Sequence, residues 1–159
     1  MTKVVYMYKR ILVAYNGNLG SRIALNECIR LSKLIHPEVH LLVIVTPESM
    51  SANSFTDYEF ENPVGGFLNT PLGCNKDLMQ LEINDAYEQL QAAKITTFQH
   101  LEIGEPVDVI EKMSKLLNID LVIVGHSKNK SGLMRWWGGT TDAKLTERVR
   151  CNILIAADH

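Results

Sequence analysis

Four stretches of this chain are almost unbroken apolar runs. They read Arg-Ile-Leu-Val-Ala-Tyr over 10–15, Val-His-Leu-Leu-Val-Ile-Val-Thr over 39–46, Asp-Leu-Val-Ile-Val-Gly over 120–125 and Cys-Asn-Ile-Leu-Ile-Ala-Ala over 151–157. A strand with one wet face alternates apolar and polar residues, whereas a run without alternation must be covered on both sides. A weaker fifth segment, Ile95–Ile103, alternates Thr96, Phe98, His100 and Glu102 against Thr97, Gln99 and Leu101. Between the runs the period changes to that of a helix. Ala24, Cys28, Leu31 and Ile35, joined by Leu25 and Ile29, form one stripe that Pro37 ends. Met79, Ile83, Ala86, Leu90 and Ala93 form another, and Ile110, Met113 and Leu117 a third behind Pro106, which suits a first helical turn. A short last helix is expected from about Thr141, carrying Leu145 and Val149. The order β-α-β-(insert)-α-β-α-β-α-β implies an α/β fold. It is an open five-stranded parallel sheet with right-handed crossovers and helices on both faces.

With 159 residues the chain suits one domain, 1–159, large enough for a core without staples. The net charge of −2 argues against a general nucleic-acid binder, though not against a small anion held by one local loop. No segment reaches the roughly 18 apolar residues of a membrane span. Lys9 and Arg10 interrupt the start as a signal peptide would not, so a cytoplasmic location is expected. Met1–Tyr8 reads as a loose leader. Cys28, Cys74 and Cys151 lack metal or redox spacing; the plain reading of Cys28 and Cys151 is reduced, buried thiols. Glu48–Asn75 has no period and is rich in Ser, Asn, Gly and Pro. It leaves the rim where ligands of such sheets bind, with Phe55, Tyr58, Phe60 and Phe67 to pack with, and reads as a lid, as a mobile surface excursion or as a dimer contact.

The chemistry concentrates in Leu121–Thr141. An apolar strand stops at Gly125, a basic loop with Lys128, Lys130 and Arg135 follows, and Gly138-Gly139-Thr140-Thr141 opens an amphipathic segment. Glycines let a backbone approach phosphate oxygens, and a helix N-terminus offers free N–H groups. This is a candidate phosphate cradle. Thr140 or Thr141 is also a reasonable N-cap. His126 can hydrogen-bond a phosphate or simply face solvent, and Trp136 and Trp137 can stack on a base or pack beneath the loop. No P-loop, no glycine fingerprint after the first strand, no nucleophile–base set and no metal spacing accompany it, so no catalytic residue is assigned.

These residues resemble the universal stress protein family over Tyr8–Ala157. Arg10-Ile-Leu-Val-Ala-Tyr-Asn-Gly is similar to the family's first strand, and 125–140 to its ATP-binding signature Gly-x2-Gly-x9-Gly-Ser/Thr. The resemblance implies a Rossmann-like domain akin to the adenine nucleotide alpha hydrolases, binding ATP or another adenine nucleotide as a stress sensor or regulatory module. It places Ala14, Tyr15 and Asn16 beside the nucleoside, Ile44 beneath the adenine, and Gly125, His126, Lys128, Gly138, Gly139, Thr140 and Thr141 around the phosphates. Three positions depart from the pattern. Lys128 replaces the second glycine, ten residues rather than nine separate it from Gly139, and Asn16 replaces a carboxylate. The ammonium of Lys128 can reach phosphates as a point charge. Asn16 removes a hard ligand, so Mg²⁺ is expected at most as a counterion. The resemblance further implies a homodimer in which strand 151–157 pairs with its twin. The alternative is a member that binds no nucleotide and works through dimerisation and protein partners.

Overall fold

The computed structural model describes residues 7–45, 74–126 and 139–157. Five strands, β1 (Arg10–Tyr15), β2 (Glu38–Val45), β3 (Thr97–Ile103), β4 (Leu121–His126) and β5 (Asn152–Ala157), form one sheet in the order β3-β2-β1-β4-β5. Every neighbouring pair is parallel. The described helices are α1 (Leu19–Ile35), α2 (Cys74–Ala92), α3 (Pro106–Leu116) and α4 (Gly139–Arg148).

The apolar runs are explained by two cores, one on each face. Alternate residues Ile11, Val13, Tyr15, Leu41, Val43, Leu121 and Ile123 pack under Ala24, Leu25 and Cys28 of α1 and Ile83, Ala86 and Leu90 of α2. The intervening residues Leu12, Ala14, Leu42, Ile44, Val122 and Val124 pack under Val107, Ile110 and Met113 of α3 and Leu145 and Val149 at α4. With both faces covered by helices, the alternation of a half-wet strand disappears from β1 and β4. Cys28 is wholly buried and its thiol is pushed up to about 12 by that burial. Cys151 is only half-buried, because it lies at the turn into the edge strand.

β3 alternates because it is an edge. Leu101 and Ile103 are 56% and 61% exposed, and Phe98 stacks on His40 of β2 with ring centroids 5.1 Å apart. His40 is buried, and its Nδ1 lies 2.9 Å from Nε2 of His100. Burial holds both imidazoles below the usual histidine range.

Two boundaries differ from expectation. α2 begins at Cys74, so Cys74 and Asn75 belong to a helix rather than to the insert; after Gly73 nothing in the sequence breaks a helix. α4 begins at Gly139, which puts Thr140 and Thr141 inside its first turn, not at its N-cap. The Leu145–Val149 pair anchors the helix on the sheet.

Candidate functional site at the diverging ends of β1 and β4

From β1 the chain passes to α1 on one face, and from β4 it passes to α4 on the other. The two strands are neighbours, so their C-terminal ends border a crevice where the direction of winding reverses. Ligands of open α/β sheets occupy such crevices.

The β1 wall is a built turn. Gly17 adopts φ +81°, a left-handed conformation that a side chain would strain. Asn18 N–H donates to Asn16 Oδ1 at 3.1 Å, and Asn18 Oδ1 in turn accepts from Ser21 N–H at 2.8 Å, capping α1. The carbonyl oxygen of Asn16 is therefore engaged in holding the turn. What the residue still offers a ligand is its amide N–H₂, a donor, which suits an anion or a hydroxyl better than a cation. Tyr15 turns its ring into the α1/α2 core, so its contribution to the crevice is main chain. Its hydroxyl donates to Glu82 Oε2 of α2 at 3.3 Å, and burial followed by the nearby Glu82 charge pushes the phenol up to about 12.

The β4 wall carries Gly125 and His126. Gly125 lies two residues beyond the Val13–Ile123 pair, level with Tyr15. A Cβ placed on it would overlap the carbonyl group of Gly20 and lie 2.8 Å from Ser21 N. The first turn of α1 thus presses directly on the end of β4. The glycine expected to admit a phosphate is required here for helix–strand packing, and the crevice is closed on the α1 side. On the opposite face of the sheet lies α4. There Gly139, Thr140 and Thr141 form the first turn of a ten-residue helix. Their three backbone N–H groups have no acceptor within the helix and add to its positive dipole end. The far end of α4 is fixed by Arg148, which donates to Asp108 at 2.6 Å and to Glu111 at 2.7 Å, joining α4 to α3. His126, half-buried, ends β4 in register with Ala157.

Ala14 and Ile44 share the α3/α4 side and are 3% and 1% exposed. A purine lying on Ile44 has to displace whatever covers that side chain. The structure thus brings Ala14, Tyr15, Asn16, Ile44, Gly125 and His126 to the strand ends, and Gly139, Thr140 and Thr141 to the first turn of α4. Lys128 and Gly138, with Lys130, Arg135, Trp136 and Trp137, lie outside the described residues, as does nearly all of 48–75.

Glu82 escaped the sequence reading. It sits immediately before Ile83 on the border of the buried α2 stripe. Periodicity gives that border but not which loop it meets. Among the described residues no group of three or more His, Cys, Asp or Glu could hold a metal ion, and no helix is long and apolar enough to cross a membrane. A concavity of about 590 Å³ opens at the opposite end of the sheet between Tyr8, Lys9, Arg10, His36, Glu38 and Asp120. There the Asp120 carboxylate accepts from the backbone N–H groups of Lys9 and Arg10, which ties down the start of β1.

Similar folds occur among solved structures. A universal stress protein in complex with cAMP superposes with a TM-score of 0.63 at 15% identity, over 94% of this chain and 97% of that one. A universal stress protein from Lactobacillus plantarum gives 0.62 at 20% identity, covering 94% and 97%. A universal stress protein family protein from Arabidopsis thaliana with AMP bound gives 0.61 at 15% identity, covering 95% and 92%. No curated protein matches the sequence closely. The model of the universal stress protein family matches residues 7–157, nearly the entire chain, and with the observed sheet order it establishes that this chain belongs to the universal stress protein family.

Proposed function

We propose that this chain binds ATP or a related adenine nucleotide in the β1/β4 crevice and acts as a regulatory module of the stress response rather than as an enzyme. The feature that carries this reading is the helix start Gly139–Thr141, which follows β4 at the point where the sheet reverses its winding and whose first-turn amides suit an anion. The α4 dipole and amides attract the phosphates. The Asn16–Asn18 turn receives the nucleoside, and Ala14 and Ile44 give the base an apolar floor. Lys128 and Gly138 complete the cradle on the sequence pattern. That two relatives of the same fold carry cAMP and AMP supports an adenine ligand. Mg²⁺ accompanies the polyphosphate as a counterion, since Asn16 supplies no carboxylate. The protein works in the cytoplasm as a homodimer through β5, whose outer edge pairs with no strand among the described residues.

Calorimetric titration with ATP tests this. Gly139→Val places a branched side chain at the mouth of α4 and is expected to weaken ATP at least about tenfold, or 1.4 kcal/mol, while adenosine binding changes little. Full ATP affinity in that variant sinks the assigned cradle.

One observation favours a second reading, a member without nucleotide that acts through dimerisation and protein partners: Ile44 is 1% exposed, so the purine seat is covered in this conformation. Absorbance at 260 nm of the purified protein, followed by addition of ATP and Mg²⁺, separates the two.

A further inference from the structure

Glu82 reaches from α2 to the turn that lines the crevice, and its single carboxylate meets three residues of that segment. Oε2 accepts from the Tyr15 hydroxyl at 3.3 Å, and Oε1 accepts from Arg22 Nη2 at 3.4 Å. Gly17 closes the set, for a Cβ there would lie 3.0 Å from Oε2 and 3.1 Å from the carboxyl carbon. Tyr15 stays protonated, because burial and the carboxylate push its phenol up to about 12, so it remains a donor at any physiological pH. Arg22 is always charged. The Glu82 side chain is 31% exposed, so it is largely enclosed between α2 and the turn.

The segment it holds does more than connect β1 to α1. Residues 16–18 form one wall of the crevice, and two residues further on Gly20 lays its carbonyl against Gly125, the other wall. Glu82 therefore braces the turn from both of its flanks, through Tyr15 before it and Arg22 after it. We propose that Glu82 is a positioning residue for the nucleoside end of the site, holding the Asn16–Asn18 turn in its receiving shape through Tyr15, Gly17 and Arg22. This rests on the nucleotide reading above and adds a residue from α2, which no glycine-motif argument includes. Because the carboxylate touches the nucleoside wall and not the α4 mouth, its loss acts on adenosine and ATP alike, whereas a change at Gly139 acts on the phosphates alone.

The test separates hydrogen bonding from packing with two substitutions of similar volume. Glu82→Leu keeps bulk and removes both acceptors; Glu82→Gln keeps one carbonyl oxygen for Tyr15. Adenosine and ATP are titrated into the wild type, both variants and Gly139→Val, with a melting temperature recorded for each. The expected result is a loss of about tenfold for both ligands in Glu82→Leu, recovery to within about threefold in Glu82→Gln, and an ATP-specific loss in Gly139→Val. Wild-type adenosine affinity in Glu82→Leu overturns the proposal, as does equal loss in Leu and Gln variants that melt together. If Glu82→Leu does not fold, Tyr15→Phe with Arg22→Gln replaces it under the same criteria. A wild-type protein that binds neither ligand overturns the nucleotide reading itself, and the role of Glu82 with it.

Discussion

Replacing Gly125 by alanine adds one methyl group at the crowded junction between β4 and α1. That methyl would overlap the Gly20 carbonyl and sit 2.8 Å from Ser21 N, so it meets main chain rather than a side chain that could swing aside. Relieving an overlap with a carbonyl requires a retreat of roughly 1.5 Å to regain ordinary contact distance. The retreat falls on the best-anchored turn of α1. Ser21 is 3% exposed, its N–H is held by Asn18 Oδ1 at 2.8 Å, and Ala24, Leu25 and Cys28 behind it are packed to 1% exposure or less. Overpacking costs about 1–3 kcal/mol, and weakening the Asn18 cap adds about 1 kcal/mol. We expect a total near 3 kcal/mol, a large share of the roughly 5–15 kcal/mol that holds a domain together. With a urea slope of about 2 kcal/mol/M, the midpoint falls by about 1.5 M. The assay is urea unfolding of ligand-free protein followed by far-ultraviolet circular dichroism. The consequence reaches beyond stability, because lost ATP binding in this variant is not evidence that phosphate touches Gly125. A ligand-free midpoint within about 0.3 M of wild type would refute the packing argument and return the glycine to a role in ligand approach.

Two further outcomes follow from the sheet edges. His40 and His100 share one hydrogen bond between ring nitrogens 2.9 Å apart, and burial, reinforced at His40 by the His100 charge, holds both below their ordinary value of about 6.5. Glu38 and Glu102 oppose that shift, while Arg10 adds to it at His40. The unfolded chain then binds more protons below pH 6.5, so stability is full above that pH and declines as pH falls through the folded values. Urea midpoints between pH 7.5 and 5 should drop less in His100→Gln than in wild type, and an equal drop in both proteins discards the pair as its source. At the opposite edge, Ile155 is 41% exposed on β5. In a homodimer built on this strand, Ile155→Lys brings like charges to the twin edges, and sedimentation velocity should show monomers where wild type shows dimers. A variant that stays dimeric places the interface elsewhere.

The fold was legible because its strands carry a constraint that no local choice can relax. Ile11 to Tyr15 and Leu121 to Val124 are apolar at every position since each residue meets a helix layer on one side or the other. β3 was harder to delimit for the converse reason: an edge strand such as Thr97–Ile103 has exposed positions, and its composition follows solvent as much as structure. The start of α4 was placed late because threonines read locally as caps, whereas the helix already includes Gly139 and Thr140.

The site was legible only as a place. The glycine at 125 could be read, but its partner Gly20 stands far off in sequence, and no spacing rule couples them. Glu82 is silent for the same reason: it joins α2 to β1 across 67 residues, as a side-chain contact with no period. A glycine count along 125–139 therefore weighs two unlike things together. Gly125 would be required in any chain whose α1 approaches β4 this closely, whether or not a nucleotide ever enters. Among the described residues of that stretch, Gly139 stands instead at a helix start, whose amides need an acceptor. A variant that alters Gly139 while leaving the α1–β4 contact intact is the one that can separate a nucleotide-binding member from one that keeps only the fold.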